Sequence, residues 1–241
     1  QNNLSDLDKY NIYSILAQAA TNMQQFENAI SYLKKSLEVG LKPEKIYRNK
    51  FLLSQLYERK KIKDTAFTEY SEIIDFNRKI PREFYIQSFL KKSNVTDSLS
   101  LSVSELSDLI KDFENNKFLD IINFQLAKLY LNEYKLKEQK EFELKSIGFF
   151  NKSLEQNSSD NYLVSRNYLN LAEINFSNKN YFEAGLYYDS TLTKLDQKTK
   201  EARTIKRRRE SLNDLIFYEK AKQQSDSLAA LFSMNDEQQF K

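Results

Sequence analysis

Residues 165–192 read SRNYLNLAEINFSNKNYFEAGLYYDSTL, and the spacing inside this stretch decides the fold. Tyr168, Leu171 and Ala172 share one face of a first helix, because residues three and four apart lie one above the other on an α-helix. Ala184, Tyr188 and Thr191 share a face of a second helix in the same way. The two alanines suit a point where helices cross closely, while the tyrosines fill the wider gaps between turns. The stretch therefore predicts a helical hairpin.

The pattern recurs along the chain. Near the start Tyr13, Leu16, Ala17 and Ala20 are followed by Ala29, Leu33 and Ser36, with Pro43 after the second helix. Leu53, Ser54 and Tyr57, then Ala66, Tyr70 and Ile73, form a second unit. A third, opened by Pro81, keeps only a helical stripe through Leu99, Val103, Leu106, Leu109, Ile110 and Phe113. In a fourth, Phe124, Leu126, Ala127 and Tyr130 make a good first helix, but the second series, Ser146, Phe150 and Ser153, arrives about two helical turns late. That delay predicts elongated helices and not a long loop. The stretches SNVTDSLSLSVSELS and EQNSSDN are expected as interhelix loops or caps, since Ser, Asn and Asp favour helix starts.

Composition agrees with helices joined by short polar loops. Among 241 residues there are only 3 Gly and 2 Pro, against about 7% and 5% in average proteins. With 40% hydrophobic and 13% aromatic residues the chain folds and does not stay disordered. A formal net charge of +3 gives no global pull toward nucleic acid or membrane. The chain holds no Cys and no His, so disulfides, thiol nucleophiles, imidazole bases and the usual zinc ligands are excluded. No glycine-rich phosphate loop, HExxH or GxSxG occurs. Glu141 and Glu143 point to different sides of a helix and are expected at the surface, not as an acid/base pair. The reading is of a non-enzyme with no catalytic, cofactor or metal site, no small-molecule substrate and no nucleic acid. Asn94, Asn151 and Asn157 begin glycosylation-type triplets that are common in Asn-rich sequences.

The hairpin series resembles the tetratricopeptide repeat family, whose repeat is about 34 residues. The resemblance implies an all-α, right-handed superhelical solenoid of about five hairpins, near residues 8–42, 44–79, 81–115, 117–157 and 160–197. Residues 198–241 would be capping helices or a truncated next repeat, with Ile205, Leu212, Leu215 and Ile216 on one face and then Leu228, Leu231 and Phe232. It also implies a concave groove lined by the first helix of each hairpin. Matched position by position, that lining is Gln18, then Arg48, Phe51, Gln55 and Arg59, then Phe124, Lys128 and Leu131, and finally Arg166, Leu169, Glu173 and Phe176. Phe51, Phe124, Leu131 and Phe176 either offer an apolar track to a bound helix or peptide or pack inward against neighbouring repeats. Ser14 and Gln18 replace the residues with which some family members clamp a terminal carboxylate, so that mode is not expected.

Lys206, Arg207, Arg208 and Arg209 spread over most of a helical turn. This basic helix is a solvated face with stems over apolar neighbours, a site for an acidic protein, or one for RNA or phospholipid. The tail RRRESLNDLIFYEKAKQQSDSLAALFSMNDEQQ (207–239), with its DSLAAL segment, resembles an element in the SprE/PorW kind of tetratricopeptide lipoprotein in the type IX secretion and gliding-motility apparatus. That resemblance implies a scaffold with secretion-apparatus subunits as partners. It would face the periplasm, be associated with the outer membrane, and touch the membrane only through a lipid anchor this sequence lacks; otherwise the expectation is cytoplasmic. The lipidated Cys such a protein needs is absent, so the chain would be a truncated piece. The alternative is the sensor or regulator region of a larger signalling or transcription-regulating protein, binding a peptide.

Overall fold

The computed structural model describes residues 4–233, with side chains as far as Ala229. The described residues are helices and connecting turns, all-α as the spacing predicts. The side chains of Leu231 and Phe232, and residues 234–241, lie outside the described part.

The chain divides into two compact units, Gln1–Phe118 and Leu119–Lys241, although no linker in the sequence marks the division. The junction is a 3-10 stretch, Phe113–Phe118, that runs straight into the next helix. The first unit holds α1 (Asp6–Asn22), α2 (Phe26–Glu38), α3 (Pro43–Arg59), α4 (Lys63–Asp75), α5 (Arg82–Val95) and α6 (Leu99–Lys111). The second holds α7 (Leu119–Lys137), α8 (Lys140–Glu155), α9 (Asn161–Ser177), α10 (Tyr181–Lys194), α11 (Lys200–Glu210) and α12 (Asn213–Ser233). Helices α1 and α2, α3 and α4, α7 and α8, and α9 and α10 pack as pairs. Helix α5 lies mainly on α4 and only lightly on α6, which is why the third hairpin shows no small-residue series.

Local sequence sets the starts. Pro43 is the first residue of α3, where its missing N–H costs nothing. The Ser5, Ser98 and Thr199 hydroxyls accept from the backbone N–H of Asp8, Leu101 and Ala202, and Asp160 Oδ1 accepts from Tyr162 and Leu163. Three hairpins turn in one way. Gln24, Lys61 and Lys179 take φ of 60°, 61° and 64°, and the next residue's N–H reaches back to Ala20, Tyr57 and Asn175 at 2.8, 3.0 and 2.9 Å. A chain nearly free of glycine thus ends these helices with left-handed glutamine and lysine.

Packing follows the small-large-small series. Ala17, Ala29, Ala66, Ala172 and Ala184 are fully buried, and so are Tyr70, Tyr188 and Phe150. The last member of the series adds a polar lock. In the first unit Asn49 Nδ2 donates to Ser36 Oγ at 2.9 Å and to Ser14 Oγ at 2.6 Å; in the second Asn167 Nδ2 donates to Ser153 Oγ at 3.0 Å. Each such buried bond contributes about 1 kcal/mol net, and leaving either partner alone would cost more. Polar contacts also recur at one repeat step. Sequence separations of 33 to 38 join Asn49 to Ser14, Lys63 to Asp97, Arg82 to Asn115, Ser153 to Asp120, Arg166 to Glu201 and Lys140 to Asn178.

The delayed fourth hairpin is an elongated one. Helix α7 runs 19 residues and α8 16, joined only by Glu138 and Gln139. Other expectations need correction. The Ser-rich stretch is mostly helix, with only residues 96–98 outside α5 and α6, because its leucines and Val103 pull it into a stripe. Phe113 does not extend that stripe: the helix ends at Lys111 and the ring is 78% exposed. Leu16 is 39% exposed although its counterparts Leu53 and Leu171 are buried. The tail stripe is broken at Ser211 and Leu212, so Ile205 and Leu212 reach the core while Leu215 is exposed.

Candidate functional site

In the second unit the first helices of successive hairpins, α7, α9 and α11, bring their lining residues together. Leu169 and Glu173 of α9 and Lys200, Glu201, Ile205 and Arg208 of α11 line a concavity of about 510 Å³. A second cavity of about 240 Å³ adjoins it, shares Glu173, and is lined by Leu131 and Tyr134 of α7, Glu143 of α8 and Asn170 and Ile174 of α9. The floor of both is aliphatic. Two of their carboxylates are paired with arginines: Arg166 Nη1 lies 2.7 Å from Glu201 Oε1, and Arg208 Nη2 lies 2.7 Å from Glu173 Oε2. The other Glu173 oxygen accepts from the Tyr188 hydroxyl at 2.9 Å. Burial first, and then this carboxylate, pushes the Tyr188 phenol well above its ordinary value of 10.0, so it stays a donor.

The basic run is dispersed. The Arg208 guanidinium sits 4.9 Å over the Phe176 ring and 5.8 Å over Tyr188, at the groove. Arg209 faces away, with Nε 2.9 and 3.0 Å from the two Asp189 oxygens and Nη1 2.8 Å from Asn213. There it ties α11 to α10, and Gly185 matters, since a Cβ would meet Ile216 of α12 at 3.0 Å. Arg207 is exposed. Among the three arginines, Arg208 is the groove residue, and its stem covers aromatic neighbours.

The aromatic track does not lie open. Phe124 packs 5.9 Å from Phe150 with Lys128 Nζ 6.0 Å from its ring, Leu131 is 6% exposed, and Phe176 meets Tyr181 edge-on at 5.8 Å. In the first unit Phe51 packs edge-on to Tyr70 and Phe84 at 5.8 and 5.4 Å. All four pack against neighbours, while Phe51, Phe124 and Phe176 remain half-buried and Leu131 lines the smaller cavity. The rest of the first-unit set is not gathered. Gln18 is exposed and bonds Asn22 at 3.0 Å, Arg48 Nε donates to the Tyr47 hydroxyl at 3.1 Å, Gln55 is half-buried, and Arg59 stacks 4.4 Å over Phe26 of α2.

Glu143 overturns an expectation. It is 1% exposed, not a surface residue, because the elongated hairpin lays α8 under the turn between α9 and α10. Asn178 Nδ2 donates to its Oε1, and the Lys140 ammonium stands 2.5 Å from Oε2. Sequence reasoning missed this residue, and with it Glu201, Lys200 and Tyr134. One signal was present: opposite or complementary polar residues one repeat apart, as with Arg166 and Glu201 or Glu143 and Asn178, both separated by 35.

The sequence matches no protein-family model and no curated protein. Among solved structures, the TPR2AB domain–pHSP90 complex of yeast Sti1 aligns with 86% of this chain and 97% of its own at 14% identity and a TM-score of 0.28, too loose a superposition to bear on the groove.

Proposed function

We propose that this protein is a non-catalytic protein–protein interaction scaffold that holds a partner's peptide or helix along α7, α9 and α11 of its second unit. One observation carries the reading. The 510 Å³ concavity has an aliphatic floor, Leu169 and Ile205, and walls whose two carboxylates, Glu173 and Glu201, are each paired with an arginine, with the exposed Lys200 outside these pairs. A ligand laid over that floor gains apolar burial while both carboxylates keep their partners. The partners are subunits of an envelope secretion apparatus of the type IX kind, with the chain facing the periplasm near the outer membrane. Support for this finer assignment is the tail at 207–239 alone.

Site-specific photocrosslinking in cells tests both levels. A crosslinker at Leu169 or Thr204 is expected to capture an envelope subunit, while one at Lys152 or Glu183 on the second helices is not. Capture only from Lys152 and Glu183 would overturn the groove, and capture of cytosolic proteins alone would overturn the secretion assignment.

A further inference from the structure

We infer that the exposed face of α1 is a self-association surface, on which α1 of a second copy of this chain lies antiparallel. The surface is in the first unit and does not depend on the groove. Ile12, Ile15, Leu16, Ala19 and Met23 follow one another at three- and four-residue steps, so they form one stripe, and all five are exposed. Ile15 and Met23 are 68% and 67% exposed. The same repeat positions on other first helices are covered. Asn49, Leu53 and Leu56 on α3, and Asn167, Leu171 and Ile174 on α9, stand where Ile12, Leu16 and Ala19 stand on α1. All six are buried, with α2 lying on α3 and α8 on α9. The α1 stripe is therefore the face on which these hairpins pack a helix.

Polar residues decide which helix fits. On α3, Asn49 donates to Ser36 and Lys60 to Glu27, both of α2. On α9, Asn167 donates to Ser153, and Asn178 at its end to Glu143, both of α8. At these positions α1 has Ile12 and Met23, so a covering helix of the α2 or α8 kind would bury a serine and a glutamate against apolar atoms. The occupant needs an uncharged apolar stripe, and α1 supplies one itself: residues 10–25 include no charged side chain, in a chain that is 29% charged. Two antiparallel copies set Leu16 against Ala19 of the second copy, large against small, and Ile12 against the flexible Met23. The antiparallel sense also keeps Asp6 and Asp8 of the two copies at opposite ends, whereas parallel packing would bring four carboxylates together.

Sedimentation equilibrium of the whole chain tests this. A monomer–dimer equilibrium is expected, with a dissociation constant on the order of micromolar because one helix face is a small interface. Ile15→Lys is expected to weaken the dimer at least tenfold with unchanged far-UV circular dichroism, since the side chain it replaces stands in solvent in the monomer. Ser31→Lys, at an exposed position of α2, is expected to leave the dimer as it is. Because the chain holds no Cys, introduced thiols report the direction of packing. When the Ile12→Cys and Met23→Cys proteins are mixed and mildly oxidised, the mixed disulfide is expected to exceed both symmetric ones. A monomer at every concentration up to about 1 mM overturns the inference. So does a dimer indifferent to Ile15→Lys, or one in which the symmetric disulfide of the Ile12→Cys protein predominates. In cells a photocrosslinker at Ile15 is expected to join two copies. Capture of a different protein there, or a link within one chain, overturns the inference, while the groove stands or falls separately at Leu169 and Thr204.

Discussion

In the first unit the fully buried Tyr70 donates to Glu58 at 2.8 Å, and the Lys91 ammonium stands 3.6 Å from the same carboxylate. In the second unit Tyr188 donates to Glu173 at 2.9 Å, and Arg208 pairs with it at 2.7 Å. The tyrosines occupy one position of the repeat, four residues after the buried Ala66 and Ala184. The acids do not: Glu58 follows the small Ser54 by four residues, while Glu173 directly follows Ala172, a difference of about one helical turn. What is fixed is a phenol reaching the edge of the core, and any carboxylate within reach completes it. The cations differ in consequence. Arginine has a flat face that stacks on Phe176 and Tyr188 and so stays in the groove; lysine has none.

The units also bury opposite charges. In the first, Lys50 and Lys92 are each 8% exposed and pair with Glu69 and Glu72, and with Glu105. Burial pushes the Lys50 ammonium down, but its two glutamates more than reverse this, so it remains charged. In the second the buried ion is the Glu143 carboxylate.

The largest expected effect comes from removing the shared ring. Tyr70→Ala and Tyr188→Ala should each cost about 3–5 kcal/mol. Hydrogen exchange should show protection lost chiefly in 4–118 for the first and 119–233 for the second. Equal loss throughout would erase the division into two units. Next, Ala66→Leu and Ala184→Leu should each cost about 1–3 kcal/mol in urea titrations by overfilling the helix crossing; little change would mean that the crossing is loose.

Tyr70→Phe and Tyr188→Phe remove only the hydroxyl and should cost roughly 1 kcal/mol each. They also sharpen the comparison by pH. Burial, then the hydrogen bond each hydroxyl donates to a glutamate, raises both phenols well above 10.0. Above that pH the unfolded chain releases these protons and the folded chain keeps them, so stability present below pH 10 falls as pH rises. The double Phe variant should lose part of that alkaline decline in urea midpoints measured on both sides of pH 10. The smallest effect is a gain. Lys61→Gly and Lys179→Gly relieve φ of 61° and 64° and should each stabilise by up to about 1 kcal/mol, read as a small rise in Tm.

Ala17, Ala66, Ala172 and Ala184 could be placed from spacing because each stands at a helical crossing that its own hairpin creates. The elongated fourth hairpin was readable for the same reason. Phe51, Phe124, Leu131 and Phe176 were not, since a lining position and a packing position share the same side of a first helix, and only the neighbouring helix decides between them. Glu143 looked like a surface glutamate because its partner Asn178 sits one repeat away.

By itself the sequence determined the all-α class, four of the helix pairs and their small-residue crossings, which depend on contacts within about forty residues and on a period of 3.6. The tertiary structure alone decided that Arg208 enters the groove while Arg209 leaves it, that Glu143 is interior, and that the lining closes into cavities in the second unit. Those outcomes depend on which way a long side chain turns once the next hairpin has docked, and composition and periodicity carry no record of that choice.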